Sequence, residues 1–405
     1  MKISNFKFSF CEFSMANLRS SRSNAIVRFL ITNYRKSFRK FPRWLVRFFL
    51  IGMMGTASFS ALFGMDTKYS GEFLKIGLGV RELSLGGAMI SCPQAVSAVY
   101  WNPAALVENT KTSGQFIHSE EFAGVLNFDQ ISLAAPAHKG FAYGLGFFRL
   151  SVDDIPDTRS ALIDAGTDGL SPGDPDYQSP DEDRTEGNGK LDPGERLNFG
   201  KIGSFGANEN ALLVSIAKRK NDKLLIGATF KQIYKSLGTA DAYGIGLDVA
   251  AIYRPKINWT IGASLSDATT TFLFWNDGVK ETTLPTLRIG TAYNLRMAKI
   301  PLRIQPALSL DLGIDGDQHQ TDFQVGKLSG RFRAGIEAEV KERICLRFGR
   351  DDLGVTHIGL GLNLSIGSID YGLAMGQAHS ELGLSHRIGI VIHFANMKKV
   401  FDKIS

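Results

Sequence analysis

Cysteine is scarce in this chain: three in 405 residues, at Cys11, Cys92 and Cys345. That excludes a dense disulfide framework, and none sits in a CxxC pair of the kind that holds zinc. Proline is scarce too, at 13, so the 43 glycines do not belong to a collagen repeat. Long apolar runs are lacking. The mean hydropathy is −0.03, whereas a bundle of membrane helices needs several apolar stretches of about 20 residues. At 44% hydrophobic the chain is nevertheless too apolar for a disordered protein. Catalytic signatures are missing as well. There is no GxSxG, HExxH, P-loop or dinucleotide glycine fingerprint, and the seven histidines show no metal spacing. Ser385 and His386 are neighbours, so they face opposite ways on a strand. No enzymatic activity is expected, and no cofactor is required.

The net positive charge is confined to one end. Residues 1–64 hold eleven basic residues and one acid, Glu12, a balance of +10. The formal total is +6, so the other 341 residues carry 6 − 10 = −4. A basic domain would suggest nucleic acid, but here the charge sits in a leader, and nucleic-acid binding is not expected. Lys36, Arg39, Lys40, Arg43 and Arg47 precede an apolar stretch from Phe48 to Phe63, with Ser58, Ser60 and Gly64 at its end. Charge, apolar core and small residues in that order are the layout of a secretory signal peptide, over about 36–64. The preceding residues read as a misassigned start or an unusual extension.

What the body has in abundance is alternation of period two, which places successive side chains on opposite faces of a strand. In 356–366, Ile358, Leu360, Leu362 and Leu364 share one face, while His357, Gly359, Gly361 and Asn363 share the other. Fourteen such segments are expected, near 113–119, 125–135, 141–152, 208–219, 223–236, 241–255, 258–267, 284–296, 301–314, 329–340, 343–351, 355–366, 368–377 and 383–394. Most reach ten residues, whereas strands of soluble proteins average about 5–6 and bilayer-crossing strands about 9–11. The connections sort by parity. Every second one is short, and the long ones, 153–206, 268–283 and 315–328, all fall in the other set, as in a transmembrane barrel. The polar face would hold Arg288, Arg303, Asp311, Arg331, Arg333, Glu337, Glu339, Arg347, Asp370 and Arg387 around a lumen. Phe141, Tyr253, Tyr293 and Phe394 would form an interfacial girdle at the periplasmic end. The fold class is therefore all-β: a transmembrane antiparallel barrel of about 14 strands, residues 113–394, with a tail at 395–405. The competing reading is a soluble sandwich.

Residues 65–112 precede the first strand, and within them 73–108 do not alternate and are dense in small residues. They are expected to enter the barrel as an N-terminal hatch. Within them, Leu85-Gly86-Gly87-Ala88 and then Ser97-Ala98-Val99-Tyr100-Trp101-Asn102-Pro103-Ala104-Ala105-Leu106 resemble the N-terminal signature of FadL-like outer-membrane proteins, nearest the PorV/PorQ group. The match covers about 35 residues. Ala95 stands where an acidic residue is usual, and Ala105 where glycine is usual. The resemblance implies a plugged 14-strand barrel of a Gram-negative-type outer membrane. It further implies passage of small hydrophobic molecules, gated by movement of Gly86, Gly87, Trp101, Asn102, Pro103 and Leu106, with release through a side opening. For the PorV subgroup it implies instead an adaptor of a type IX-like secretion system. The expected partners are accordingly outer-membrane lipid and a hydrophobic small molecule or, on the second reading, secretion-system proteins. Read without the resemblance, Trp101-Asn102-Pro103 is a turn that wedges the segment against the wall.

The connection 153–206 holds thirteen acids and five bases, a net of −8. With Gly189 at the invariant glycine of a calcium loop, Glu186, Asn188, the Lys190 carbonyl, Asp192 and Glu195 take positions three, five, seven, nine and twelve. Arg184 occupies position one, so Asp183 would have to replace it. Calcium in the 181–195 loop is one reading, and a solvated acidic loop the other.

Overall fold

A computed structural model of the chain describes residues 72–121, 124–170, 175–177, 184–193, 195–297, 299–314, 321–375 and 384–394. The leader and signal-peptide segment and the tail at 395–405 lie outside the described residues.

The sheet is a closed barrel of fourteen antiparallel strands, one for each segment the alternation marks. They are β1 (Ser113–Glu121), β2 (Leu126–Ala134), β3 (Phe141–Asp157), β4 (Gly203–Asn221), β5 (Leu224–Leu237), β6 (Ala240–Lys256) and β7 (Trp259–Ser266). The second half holds β8 (Thr286–Tyr293), β9 (Leu302–Gly313), β10 (Leu328–Val340), β11 (Ile344–Arg350), β12 (Thr356–Leu364), β13 (Gly367–Met375) and β14 (Ser385–His393). Each strand pairs with the next, and β14 returns to β1 in register from Ser113↔His393 to Glu120↔His386. Closure removes the exposed strand edges of an open sheet.

The two faces divide as the sequence predicts. Along β12, Ile358, Leu360 and Leu362 are exposed, while His357, Gly359 and Gly361 between them are buried. Along β3 and β4, Tyr143, Leu145, Phe147, Leu212, Val214 and Ile216 form a continuous exposed apolar surface. In a closed sheet a surface of this size turned to water would be unfavourable, and turned to acyl chains it is solvated. The charged set points inward: Arg288, Asp311, Arg333, Glu337, Glu339, Arg347, Asp370 and Arg387 are all buried. Ser385 is buried and His386 exposed, on opposite faces as their adjacency requires.

One strand departs from the expected plan. After Ser266 the chain makes a turn through 267–270, with Asp267 and Thr270 at φ 54° and 63°. It then rejoins β6 as a second short segment, Thr271–Trp275. Between the pairs Val249↔Leu265 and Ile245↔Phe272, three residues of β6 face six of the other strand. Thr271–Trp275 then folds back on Lys280–Thr283. A region the alternation leaves as the loop 268–283 is therefore a continuation of the wall above an interruption. Such insertions disrupt the ladder locally and bend the strand.

The hatch consists of short helical turns: a 3₁₀ turn at Glu72–Ile76, α1 at Val80–Ser84, α2 at Ala98–Trp101 and a second 3₁₀ turn at Pro103–Glu108. Asn102 starts the last of these. Its Oδ1 accepts from the Ala104 N–H at 3.1 Å, and Pro103 at the first position gives up an N–H that would have no helical partner.

Candidate functional site

The hatch fits the lumen because the wall is thinned by glycine where the two meet. A Cβ on Gly227 would lie 2.5 Å from the Ala104 nitrogen, and one on Gly262 2.3 Å from the Ile90 oxygen. On β10 and β11, Gly335 and Gly349 approach the Leu85–Gly86 backbone as closely, at 2.4 and 2.2 Å. These contacts are backbone to backbone, so no rotamer change relieves them. Gly349→Val is therefore expected to destabilise hatch docking by about 1–3 kcal/mol or more, as overpacking does. Limited proteolysis checks it. Cleavage within residues 72–112 should rise while the β-sheet circular dichroism stays unchanged, and Phe348→Leu on the outward face should leave both alone.

The signature residues come together as one packed unit. Gly86 and Gly87 take φ of +64° and +72°, conformations open to glycine and strained for other residues. Gly86 lies against the Arg350 backbone and Gly87 against the Trp101 ring. Trp101 is buried, and its indole N–H donates to the Leu78 carbonyl at 2.6 Å. Asn102 is fully buried. Its Nδ2 donates to the Ile90 carbonyl at 2.8 Å and to the Ala251 carbonyl of β6 at 3.3 Å, tying the hatch to the wall. Pro103 and Leu106 are buried in the same apolar cluster. That cluster is continuous from Val99, Trp101 and Leu106 through Phe148 and Leu213 to Ile233, Ala242 and Leu273, with Trp275 packed on it. It thus runs from the hatch to the wall beside the interrupted strand.

Sequence reasoning missed the strongest link between hatch and wall. Arg81 in α1 reaches Glu337 of β10 with two bonds, Nε to Oε2 at 2.8 Å and Nη2 to Oε1 at 3.0 Å. A bidentate guanidinium–carboxylate pair is among the stronger polar contacts. Glu337 also accepts from Arg347 Nε at 2.8 Å, and Arg347 continues to Asp370 at 2.6 Å. The next residue, Glu82, is fully buried and accepts from the Ser97 hydroxyl at 2.6 Å and the Gln94 N–H at 2.8 Å. Glu82 is thus a buried, hydrogen-bonded carboxylate within the hatch itself. The signal available was the pair Arg81-Glu82, the one adjacent pair of opposite charges in a segment otherwise dense in small and apolar residues.

A second polar cluster stands at the strand interruption. Lys231 of β5 bridges Asp248 of β6, at 2.8 Å, and Asp267 in the turn. The Asp267 N–H donates to Asp248 Oδ1 at 2.7 Å, and Ala268 N–H to the Leu247 carbonyl at 2.7 Å. The wall is therefore closed there by side chains as well as by the ladder.

In the acidic loop the structure gathers most of the expected residues around a different partner. Asp164 accepts from the N–H groups of Gly187 at 2.8 Å and Gly189 at 2.6 Å, and those bonds hold its carboxyl below the ordinary carboxylate value. Glu195 accepts from the Gly166 and Asp192 N–H groups, and Asn188 donates to Asp192 at 2.5 Å. The Lys190 N–H donates to Asn188 Oδ1; Glu186 lies in the same turn, and Asp183 lies outside the described residues. Among the described residues no group of three or more His, Cys, Asp or Glu side chains is placed to hold a metal. The calcium reading rests on sequence spacing alone.

No protein-family model matches the sequence, and no curated protein matches it. Among solved structures, the chain is similar to the Pseudomonas putida toluene transporter TodX, at 13% identity and a TM-score of 0.46, over 78% of this chain and 97% of that one. It is similar to the CymD monoaromatic hydrocarbon channel at 12% identity and a TM-score of 0.45, over 78% and 96%. A Pseudomonas aeruginosa FadL homologue matches at 10% identity and a TM-score of 0.42, over 78% and 98%.

Proposed function

We propose that this barrel lies in the outer membrane of a Gram-negative-type bacterium, reached through the signal peptide, and passes small hydrophobic molecules. The observation that carries the reading is the apolar cluster that joins Trp101 and Leu106 of the hatch to Ile233 and Leu273 beside the broken strand. A hydrophobic solute crossing a barrel needs an apolar path and an exit that avoids water. Displacing the Gly86–Leu106 segment exposes such a path, and its sideways end is the interruption at 267–270, which opens when the bridge from Lys231 to Asp248 and Asp267 is released. The outer loops supply the first, loose contact.

A disulfide between hatch and wall tests this. A Cβ on Gly389 would lie 3.5 Å from Val80 Cβ, inside the roughly 3.5–4.5 Å that a disulfide spans. Val80→Cys with Gly389→Cys should, once oxidised, reduce uptake of radiolabelled toluene by whole cells to the level of cells without the protein. Reduction should restore it. Full uptake in the oxidised state would refute hatch gating. Unchanged uptake together with a co-purifying secretion protein would favour the adaptor reading.

A further inference from the structure

We infer that the barrel end bearing the short turns holds a site for one anionic phospholipid, its phosphate head seated in a groove at the β8–β9 turn. That hairpin projects beyond both neighbours. The Asn294 N–H donates to the Asn258 carbonyl of the β6–β7 turn at 2.8 Å, and the Lys341 N–H of the β10–β11 turn donates to the Pro301 carbonyl at 2.7 Å. Residues 295–300 continue past these points, with Leu295 opposite Ile304, Arg296 opposite Arg303 and the Met297 N–H bonded to the Leu302 carbonyl at 3.0 Å. A groove of about 630 Å³ lies between the hairpin and the β10–β11 turn, within the roughly 300–1,000 Å³ of ligand sites.

The lining has two chemical halves. Met297 and Leu302 take the outward phase of Leu308, and with the exposed Leu295 they continue the apolar belt. Arg296 and Arg303 take the opposite phase, and Lys341 stands on the next turn. A free oxyanion would use the cations and leave the apolar half wet; a hydrocarbon would do the reverse. A phospholipid with its chains along the belt uses both. The depth agrees, since Arg296 lies three residues beyond Tyr293 and interfacial tyrosines sit at headgroup level. Arg296 directly faces Arg303, and like charges so placed destabilise a strand pair. Arg303 is engaged by Glu337 and Glu339, whereas among the described residues the Arg296 and Lys341 side chains have no hydrogen-bond or ion-pair partner. Glu342 is the opposing charge of the groove. The surrounding field is positive. Residues 135–140, 218–223, 254–258, 294–301, 341–343 and 365–366, the six short turns, hold eleven Lys and Arg against Asp222 and Glu342, and such a rim attracts an anionic membrane surface. The site is independent of hatch gating, because its readout is lipid affinity and not uptake.

Calorimetry on the full-length protein in uncharged detergent tests the site. Dihexanoyl phosphatidylglycerol, dihexanoyl phosphatidylcholine and glycerol phosphate are titrated separately at one ionic strength. Saturable binding of the phosphatidylglycerol is expected, about tenfold tighter than of either other probe. Arg296→Gln should weaken it by about five- to tenfold, and Glu342→Gln should strengthen it by about two- to fivefold, as a charge-assisted contact is lost or a repulsion removed. Met297→Ser should weaken both lipids alike. Lys139→Gln, on a short turn outside the groove, should change nothing. Misfolding cannot move affinity in both directions. The site is overturned by the absence of saturable heat, by equal affinity for the two lipids, or by glycerol phosphate binding as tightly as the phosphatidylglycerol. A loss in Lys139→Gln as large as that in Arg296→Gln would overturn it too, leaving only the general field of the rim.

Discussion

Glu337→Gln is expected to destabilise the closed hatch by about 3–5 kcal/mol, the cost of breaking a buried ion pair from one side. The substitution keeps the side chain's size and removes its charge. Arg347 retains Asp370 at 2.6 Å, and Arg303 retains Glu339. Arg81 retains only the neutral oxygens of Gln305 and Cys92, at 3.2 and 3.3 Å, and Glu82 at 3.8 Å. The cost therefore falls on the hatch and not on the wall. Arg81→Met should cost less, because Glu337 keeps two guanidiniums. The double variant should fall short of the sum of the singles, with a coupling of roughly 0.5–3 kcal/mol. Planar-bilayer conductance reads the effect, since a 14-strand lumen without its plug carries ions. A Glu337→Gln barrel as tightly closed as the parent would show that Arg81 does not latch the hatch.

That latch illustrates where sequence reading ends. Arg81 and Glu337 are 256 positions apart, and only the barrel's closure and the depth of the hatch bring them together. Strand periodicity, by contrast, is local: a one-residue slip would turn Leu360 inward and Gly361 outward, so each strand declares its own faces. This is why all fourteen wall strands were legible within a few residues, down to the glycines at 359 and 361. The interruption at 267–270 was not, because Thr269-Thr270-Thr271-Phe272 reads equally as a loop or as the start of a strand. Its shape depends on Lys231 and Asp248 from two neighbouring strands. The acidic loop shows the same limit. There the partner of the Gly189 N–H is Asp164, 25 residues earlier, which no spacing within 181–195 indicates.

The outward face sets the second large effect. Leu360→Arg, in the middle of β12 where the side chain is half exposed, is expected to cost about 2–4 kcal/mol in a bilayer, while Leu364→Arg at the strand end should cost about 0–1 kcal/mol. Both leucines are exposed to the same degree, 51% and 44%, so burial within the protein cannot produce the difference. In water an exposed leucine accepts arginine at little cost, typically within about 0.5 kcal/mol. A depth gradient along one strand is thus a property of the surrounding solvent and not of the fold. Reversible unfolding from lipid vesicles, followed by tryptophan fluorescence, measures both variants. Equal and small effects would mean that the belt of Tyr143, Leu145, Phe147, Leu346, Phe348 and Leu360 meets water. The inward placement of Arg347 and Asp370, which costs desolvation and is compensated only by their pairing, would then lose its reason, since the charges would sit as comfortably on the outer face.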